Sequence, residues 1–142
     1  KLSSIRKKMS RPRKARKIIN PPNKKGFRPF GMQSCVKESV RLKFEEYESL
    51  RLVNYEMLPQ DVAAKQMNIS RPTFTRIYNR ALRVIAKSFV EGKAVNIEGG
   101  NYLLDKDWYR CRKCYKLIQG LENHYKCEDC TAFGESELIK LN

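Results

Sequence analysis

The sequence predicts a mainly α fold with a small β-rich module at its C-terminal end. Three observations predict it. Apolar residues between Glu45 and Val90 recur three or four positions apart, the period of a helix. Asn68-Ile69-Ser70 interrupts them with the chemistry of a tight turn. After Gly99-Gly100 the helix signals give way to aromatics and two C-x-x-C pairs. A chain of 142 residues suits one ordinary domain plus a metal-stapled module. The expected division is a basic arm over 1–26, a helix-turn-helix domain over 27–98 and a four-cysteine, zinc-ribbon-like module over 99–142.

The elements follow in order. Lys1 to Lys25 is rich in Lys and Arg and broken by Pro12, Pro21 and Pro22, so a mobile arm is expected when unbound. Met9 reads as a native start, with Lys1 to Lys8 upstream of it. Phe27-Arg28-Pro29-Phe30-Gly31 brings the first aromatics and begins the docking of the chain on its body. Val36 to Phe44 alternates weakly and reads as a short strand or extended lead-in. Glu45 to Tyr55 reads as a helix through Tyr47, Leu50 and Val53. A second helix is expected from about Gln60 to Met67, with Pro59 at its start and Ala63 and Ala64 as a small face. Asn68 tolerates a left-handed backbone, and Ser70 is a good N-cap for a third helix. Pro72 falls in its first turn, where the missing N–H costs little, and Gly92 ends it.

The net charge of +15 is unevenly placed. No Asp or Glu occurs before Glu38, and Lys1 to Lys37 holds 13 of the 30 Lys and Arg residues. The remainder is nearly balanced. Such an arm calls for a polyanion, with nucleic acid ahead of an anionic membrane. The third helix adds a second basic surface. At about 100° per residue, Phe74, Ile77, Ala81, Val84 and Ile85 share one side. Arg76, Arg80, Arg83 and Lys87 share the other, and no acid interrupts Arg71 to Lys87. A solvated face is the ordinary reading of a charge run. The turn and the arm together favour a helix that reads the major groove of duplex DNA. Ser70, Arg71, Thr73, Thr75, Arg76 and Asn79 are then the candidate base contacts, because Arg forks onto guanine and Asn onto adenine. Arg80 and Arg83, with Lys87, are candidate phosphate contacts. In the arm, Arg11, Arg13, Lys14 and Arg16 are candidates for a narrow minor groove, or for the backbone as a non-specific tail.

Several segments carry a resemblance: Arg11-Pro12-Arg13-Lys14, Gly26 to Gly31, Glu46 to Leu52, Ser70-Arg71-Pro72-Thr73-Phe74 and Val90 to Ala94. In that order they resemble a family of uncharacterised prokaryotic proteins regarded as DNA-binding and similar to region four of sigma factors. The resemblance spans about Arg11 to Gly100. It implies a sigma-region-four-like helix-turn-helix. Asn68 stands where the family's turn usually has glycine. Pro72 stands where it has a polar residue, which removes one possible DNA contact.

Cys111-x-x-Cys114 and Cys127-x-x-Cys130 are separated by 12 residues. Each pair can place two thiolates on one metal from a tight turn, and two pairs complete a tetrahedron. One structural zinc ion is expected, with tetrathiolate iron as the competitor. His124 reads as a surface or neighbouring residue, and Cys35 as a small buried one.

There is no run of 18 apolar residues and no signal-peptide pattern, so a cytoplasmic, nucleoid-associated protein is expected. No Ser/His/Asp arrangement, phosphate-cradling loop or catalytic carboxylate pair is evident, so an enzyme is not expected. The function expected is sequence-specific DNA binding by a transcription regulator. The rivals are a redox or iron sensor built on the four cysteines, and a module that contacts RNA, RNA polymerase or another protein. The sequence leaves a homodimer open.

Overall fold

A computed structural model describes residues 14–31, 38–121 and 138–141. Its elements are β1 (Arg16–Ile18), β2 (Gly26–Phe27), β3 (Ser39–Leu42), α1 (Phe44–Leu50), a π-helical turn (Arg51–Tyr55), α2 (Gln60–Gln66) and α3 (Arg71–Glu91). Then come β4 (Ala94–Ile97), β5 (Tyr102–Leu104), β6 (Trp108–Cys111), β7 (Leu117–Gln119) and β8 (Leu138–Leu141). The expectation of a mainly α fold is therefore wrong. Among the described residues three α-helices are interleaved with eight strands in three small sheets. Nor is a zinc ribbon shown, since Cys127 and Cys130 lie outside the described residues.

The sheets join distant parts of the chain. β1 runs parallel to β5, with Arg16 opposite Tyr102. β4 is the central strand between β2, antiparallel, and β3, parallel. β6 lies between β7 and β8, both antiparallel. All eight of these strands are two to four residues long. Segments so short show no period of their own, and their partners are supplied by tertiary packing.

Two apolar clusters hold the helices. Leu52, Ala63, Ala64, Met67 and Phe74 form the first, with Ile69 of the turn packed against it. Leu42, Ala81, Val95 and Ile97 form the second, which seats α3 on β3 and β4. The alanines allow α2 and α3 to approach closely. Asn68 adopts φ +55°, the left-handed geometry expected of the turn, and Gly92 ends α3 at φ +63°.

The first helix departs from its expected course. It is α-helical only to Leu50 and then widens into the π turn, which ends before Met57, at φ +57°. The wider turn buries Leu52 completely while Tyr55 stays exposed. Glu46 receives the backbone N–H of Lys43 at 2.9 Å and so closes the start of α1. Further on, Gly100 lies so close to α1 that a Cβ there would come within 1.9 Å of the Glu45 carboxylate.

Lys14 to Lys25, expected to belong to a mobile arm, is tied to the body. Ile18 is fully buried, and Pro21 and Pro22 are buried beside it. The Lys17 N–H donates to the Met67 carbonyl at the end of α2, at 3.0 Å. The Ile19 N–H donates to the fully buried Glu48 at 3.0 Å. The four apolar residues Ile18, Ile19, Pro21 and Pro22 outweigh the flanking charges. Burying them is worth more than leaving the segment solvated.

Candidate nucleic-acid interface

The surface around the start of α3 is assembled from three places in the chain. α2 and the turn fix where α3 begins. Ser70 is the N-cap residue, but its hydroxyl pairs with the Thr73 hydroxyl at 2.9 Å rather than with a backbone N–H. Arg71, Arg76 and Asn79 are exposed along the first turns, and Arg83 and Lys87 continue the exposed row. No acidic side chain belongs to α3 before Glu91.

Two of the expected contacts are engaged within the fold. Thr75 is half-buried, and its hydroxyl faces Gln60 of α2 at 3.0 Å and the Arg71 carbonyl at 3.1 Å. It braces the two helices. Arg80 makes an ion pair at 2.9 Å with Glu46, whose side chain is almost wholly buried. Much of the Arg80 side chain stays in solvent, but its charge is shared with α1. Glu46 thus serves twice, at the start of α1 and under α3.

The N-terminal segment reaches the same place. Lys14 donates to the Asn68 side chain at 3.0 Å, two residues before the N-cap of α3. Arg16, in contrast, lies half-buried in β1, and its Nε is buried without a hydrogen-bond partner among the described residues. Lys17 pairs with Asp105 at 2.6 Å. Arg11 and Arg13 lie outside the described residues. The docking of Lys14 at the turn was not readable in the sequence, because nothing local links positions 54 apart.

Beneath this surface α1 is unexpectedly acidic inside. Glu45, Glu46 and Glu48 are all buried. Glu48 accepts two hydrogen bonds from the Arg51 guanidinium, both at 2.8 Å, as well as the Ile19 N–H. The hydrogen bonds it donates to Glu48 hold the Arg51 guanidinium above its ordinary pKa, and Glu56 adds to the effect. Burial pushes the neighbouring Tyr47 phenol up as well.

Of the cysteines, Cys111 is buried at the end of β6 and Cys114 is half-buried. Cys114 and Leu138 of β8 both pack against Cys111. Between them the chain makes a tight turn, closed by the Tyr115 N–H on the Cys111 carbonyl at 3.0 Å, with Tyr115 at φ +59°. The pair therefore shares one knuckle-like turn, as two ligands of one metal would need. Cys127, Cys130, His124 and Cys35 fall outside the described residues. Among the described residues no group of three or more His, Cys, Asp or Glu side chains could hold a metal. No helix there is long and apolar enough to cross a membrane.

Comparison with known proteins gives a consistent family. A family model described as "Protein of unknown function DUF134" matches residues 5–105. A UPF0251 protein of Clostridium novyi is 35% identical over 86% of this chain and 84% of its own length. One from Chloroherpeton thalassium is 39% identical, over 86% of this chain and 82% of its own. Another, from Methanothermobacter thermautotrophicus, is 36% identical over 86% of this chain and 64% of its own. No solved structure matches the chain. With most of its length aligned to bacterial and archaeal relatives alike, this chain belongs to the DUF134/UPF0251 family.

Proposed function

We propose that this protein binds duplex DNA in a sequence-specific way and regulates transcription, with α2, the Asn68–Ser70 turn and α3 acting as a helix-turn-helix. One observation carries the reading. Arg76, Arg83 and Lys87 form an exposed row, with Arg71 exposed at the helix start, on a helix with no acidic residue before its last position. The resemblance of the motif segments to a family regarded as similar to sigma region four supports it.

The roles follow from reach and chemistry. Arg71 and Arg76 are suited to guanine edges, Asn79 to adenine, and Ser70 and Thr73 to hydroxyl contacts near the helix start. Arg83, Lys87 and the outer part of Arg80 suit phosphates. Lys14 stands at the turn, beside the reading end of α3. Arg11 and Arg13 are assigned to the backbone or minor groove there. Thr75 and Arg16 take supporting roles, since both side chains are engaged in or covered by the fold.

The test is a selection from random duplex DNA with a matched RNA competitor. A recovered motif that RNA does not displace supports the proposal. Binding that shows no sequence enrichment, or that RNA displaces equally, rejects it.

A second proposal concerns metal. Cys111 and Cys114, with Cys127 and Cys130, are assigned one structural zinc ion. The shared turn of the first pair is what supports it. A colourless protein with one zinc equivalent, lost in Cys111→Ser, is the expected result. An iron protein with visible absorption would instead favour redox chemistry.

A further inference from the structure

We infer that the C-terminal half of α3 and the loop after β2 form a self-association surface, through which two copies of this chain pair about a two-fold axis. Leu82, Ile85, Ala86 and Phe89 recur at the spacing of a helix–helix seam. They are exposed among the described residues: Leu82 is 40% exposed, Ile85 38% and Phe89 88%. Across a groove of about 450 Å³ stands the Phe27–Phe30 loop, with Phe27 53% and Phe30 98% exposed. Apolar patches of this kind mark interaction sites.

A second copy fits this surface on three counts. The first is area. At roughly 150–250 Å² per ring, the exposed parts of the three phenylalanines offer about 350–600 Å² on each copy. Leu82 and Ile85 extend that toward the roughly 800 Å² per partner of a standard interface. The second is shape. Phe30 is 98% exposed and lines the groove together with Phe27, Ile85 and Phe89. The same patch thus offers exposed rings and a groove between them, so two copies can pack it against itself, as a two-fold contact requires.

The third count is spacing, and it rests on the DNA-binding role proposed above. An antiparallel crossing between Ile85 and Ala86 sets Leu82 against Phe89 of the second copy. The small Ala86 then lets the helices approach. At about 1.5 Å of rise per residue, Thr73 lies about 19 Å from that crossing. The two reading ends are then about 38 Å apart, close to the roughly 34–36 Å of one turn of DNA. The Arg76, Arg83 and Lys87 row lies about 120° round the helix from the seam. Both copies can therefore present it to the same duplex.

The test is the mass of the full chain by sedimentation equilibrium, without DNA. The expected mass at about 100 µM is twice the 16.7 kDa of one chain. Phe89→Asp should weaken the dimer by about 30-fold or more, and Phe89→Leu should keep it. If Phe89→Asp loses helical signal, Phe30→Asp gives the same reading from the other side of the groove. A wild-type monomer at that concentration, or dimers that persist in both aspartate variants, would overturn the inference. A dimer that fails to bind DNA defeats the function proposed above and not this surface. A monomer that binds DNA does the reverse.

Discussion

Two basic segments of this chain meet different fates. Lys14–Lys25 and Arg71–Lys87 look alike as strings of Lys and Arg without a single acid. The first is bound into the fold: Ile18 is in the core, Lys17 is paired with Asp105, and Arg16 is half-covered in β1. The second keeps Arg71, Arg76, Arg83 and Lys87 in solvent and shares only Arg80 with the body. Charge density alone therefore does not tell which cations can meet a polyanion. The apolar residues interleaved with them do. Where they recur at the helical period, the charges turn outward together. Where they cluster as Ile18, Ile19, Pro21 and Pro22, they draw their neighbours inward.

The largest expected effect is on the docking of the first segment. Glu48 is fully buried and holds both Arg51 and the Ile19 N–H. Glu48→Ala takes the buried partner from Arg51, leaving Glu56 as its only ion-pair partner among the described residues, and takes the acceptor from the Ile19 N–H, so about 3–5 kcal/mol of stability should be lost. A loss in urea-unfolding free energy of less than a quarter of that would mean β1 is held by something else. Ile18→Ala removes a buried side chain from β1 and should cost about 2–5 kcal/mol. An unchanged midpoint there would return this segment to a loose arm and erase the contrast.

The next prediction sharpens the contrast at the level of binding. Arg83→Ala should lower the log–log salt slope of DNA affinity by about 0.9, the release of one phosphate contact. Lys17→Gln should leave the slope unchanged, because that ammonium is already paired with Asp105. Equal slopes for the two variants would show that exposure in the free protein does not select the contacts. The smallest effect is at the turn. Asn68→Gly relieves the strain of φ +55° but removes the acceptor for Lys14, so stability should move by no more than about 1 kcal/mol. A larger loss would give the Lys14 tether more weight than one exposed hydrogen bond carries.

The parts that were legible in the sequence are those written locally. The turn at Asn68, the alanines of α2 and the end of α3 at Gly92 each depend on residues within a few positions. The sheets were not legible. Ser39 pairs with Ala94 and Arg16 with Tyr102, and no short-range pattern encodes such partners. That is why a mainly α fold was expected and a mixed one found. The burial of the acids of α1 was not legible either. Glu45, Glu46 and Glu48 are covered by the segment around Ile19, by Gly100 and by α3, all distant in sequence. Within the site, Arg71, Arg76 and Asn79 stand free on the surface as the helical period implies. Thr75 and Arg80 do not, because their partners Gln60 and Glu46 come from other helices.

The central claim is that the start of α3 reads bases. Its most direct test is the affinity of Arg76→Ala and Thr73→Ala for a duplex site selected by the wild-type protein, each set against the same protein on random duplex. The account predicts that Arg76→Ala loses about 1–3 kcal/mol on the selected site and relaxes preference at one base position. Thr73→Ala should lose less in the same direction. Unchanged affinity and preference in both variants would contradict it.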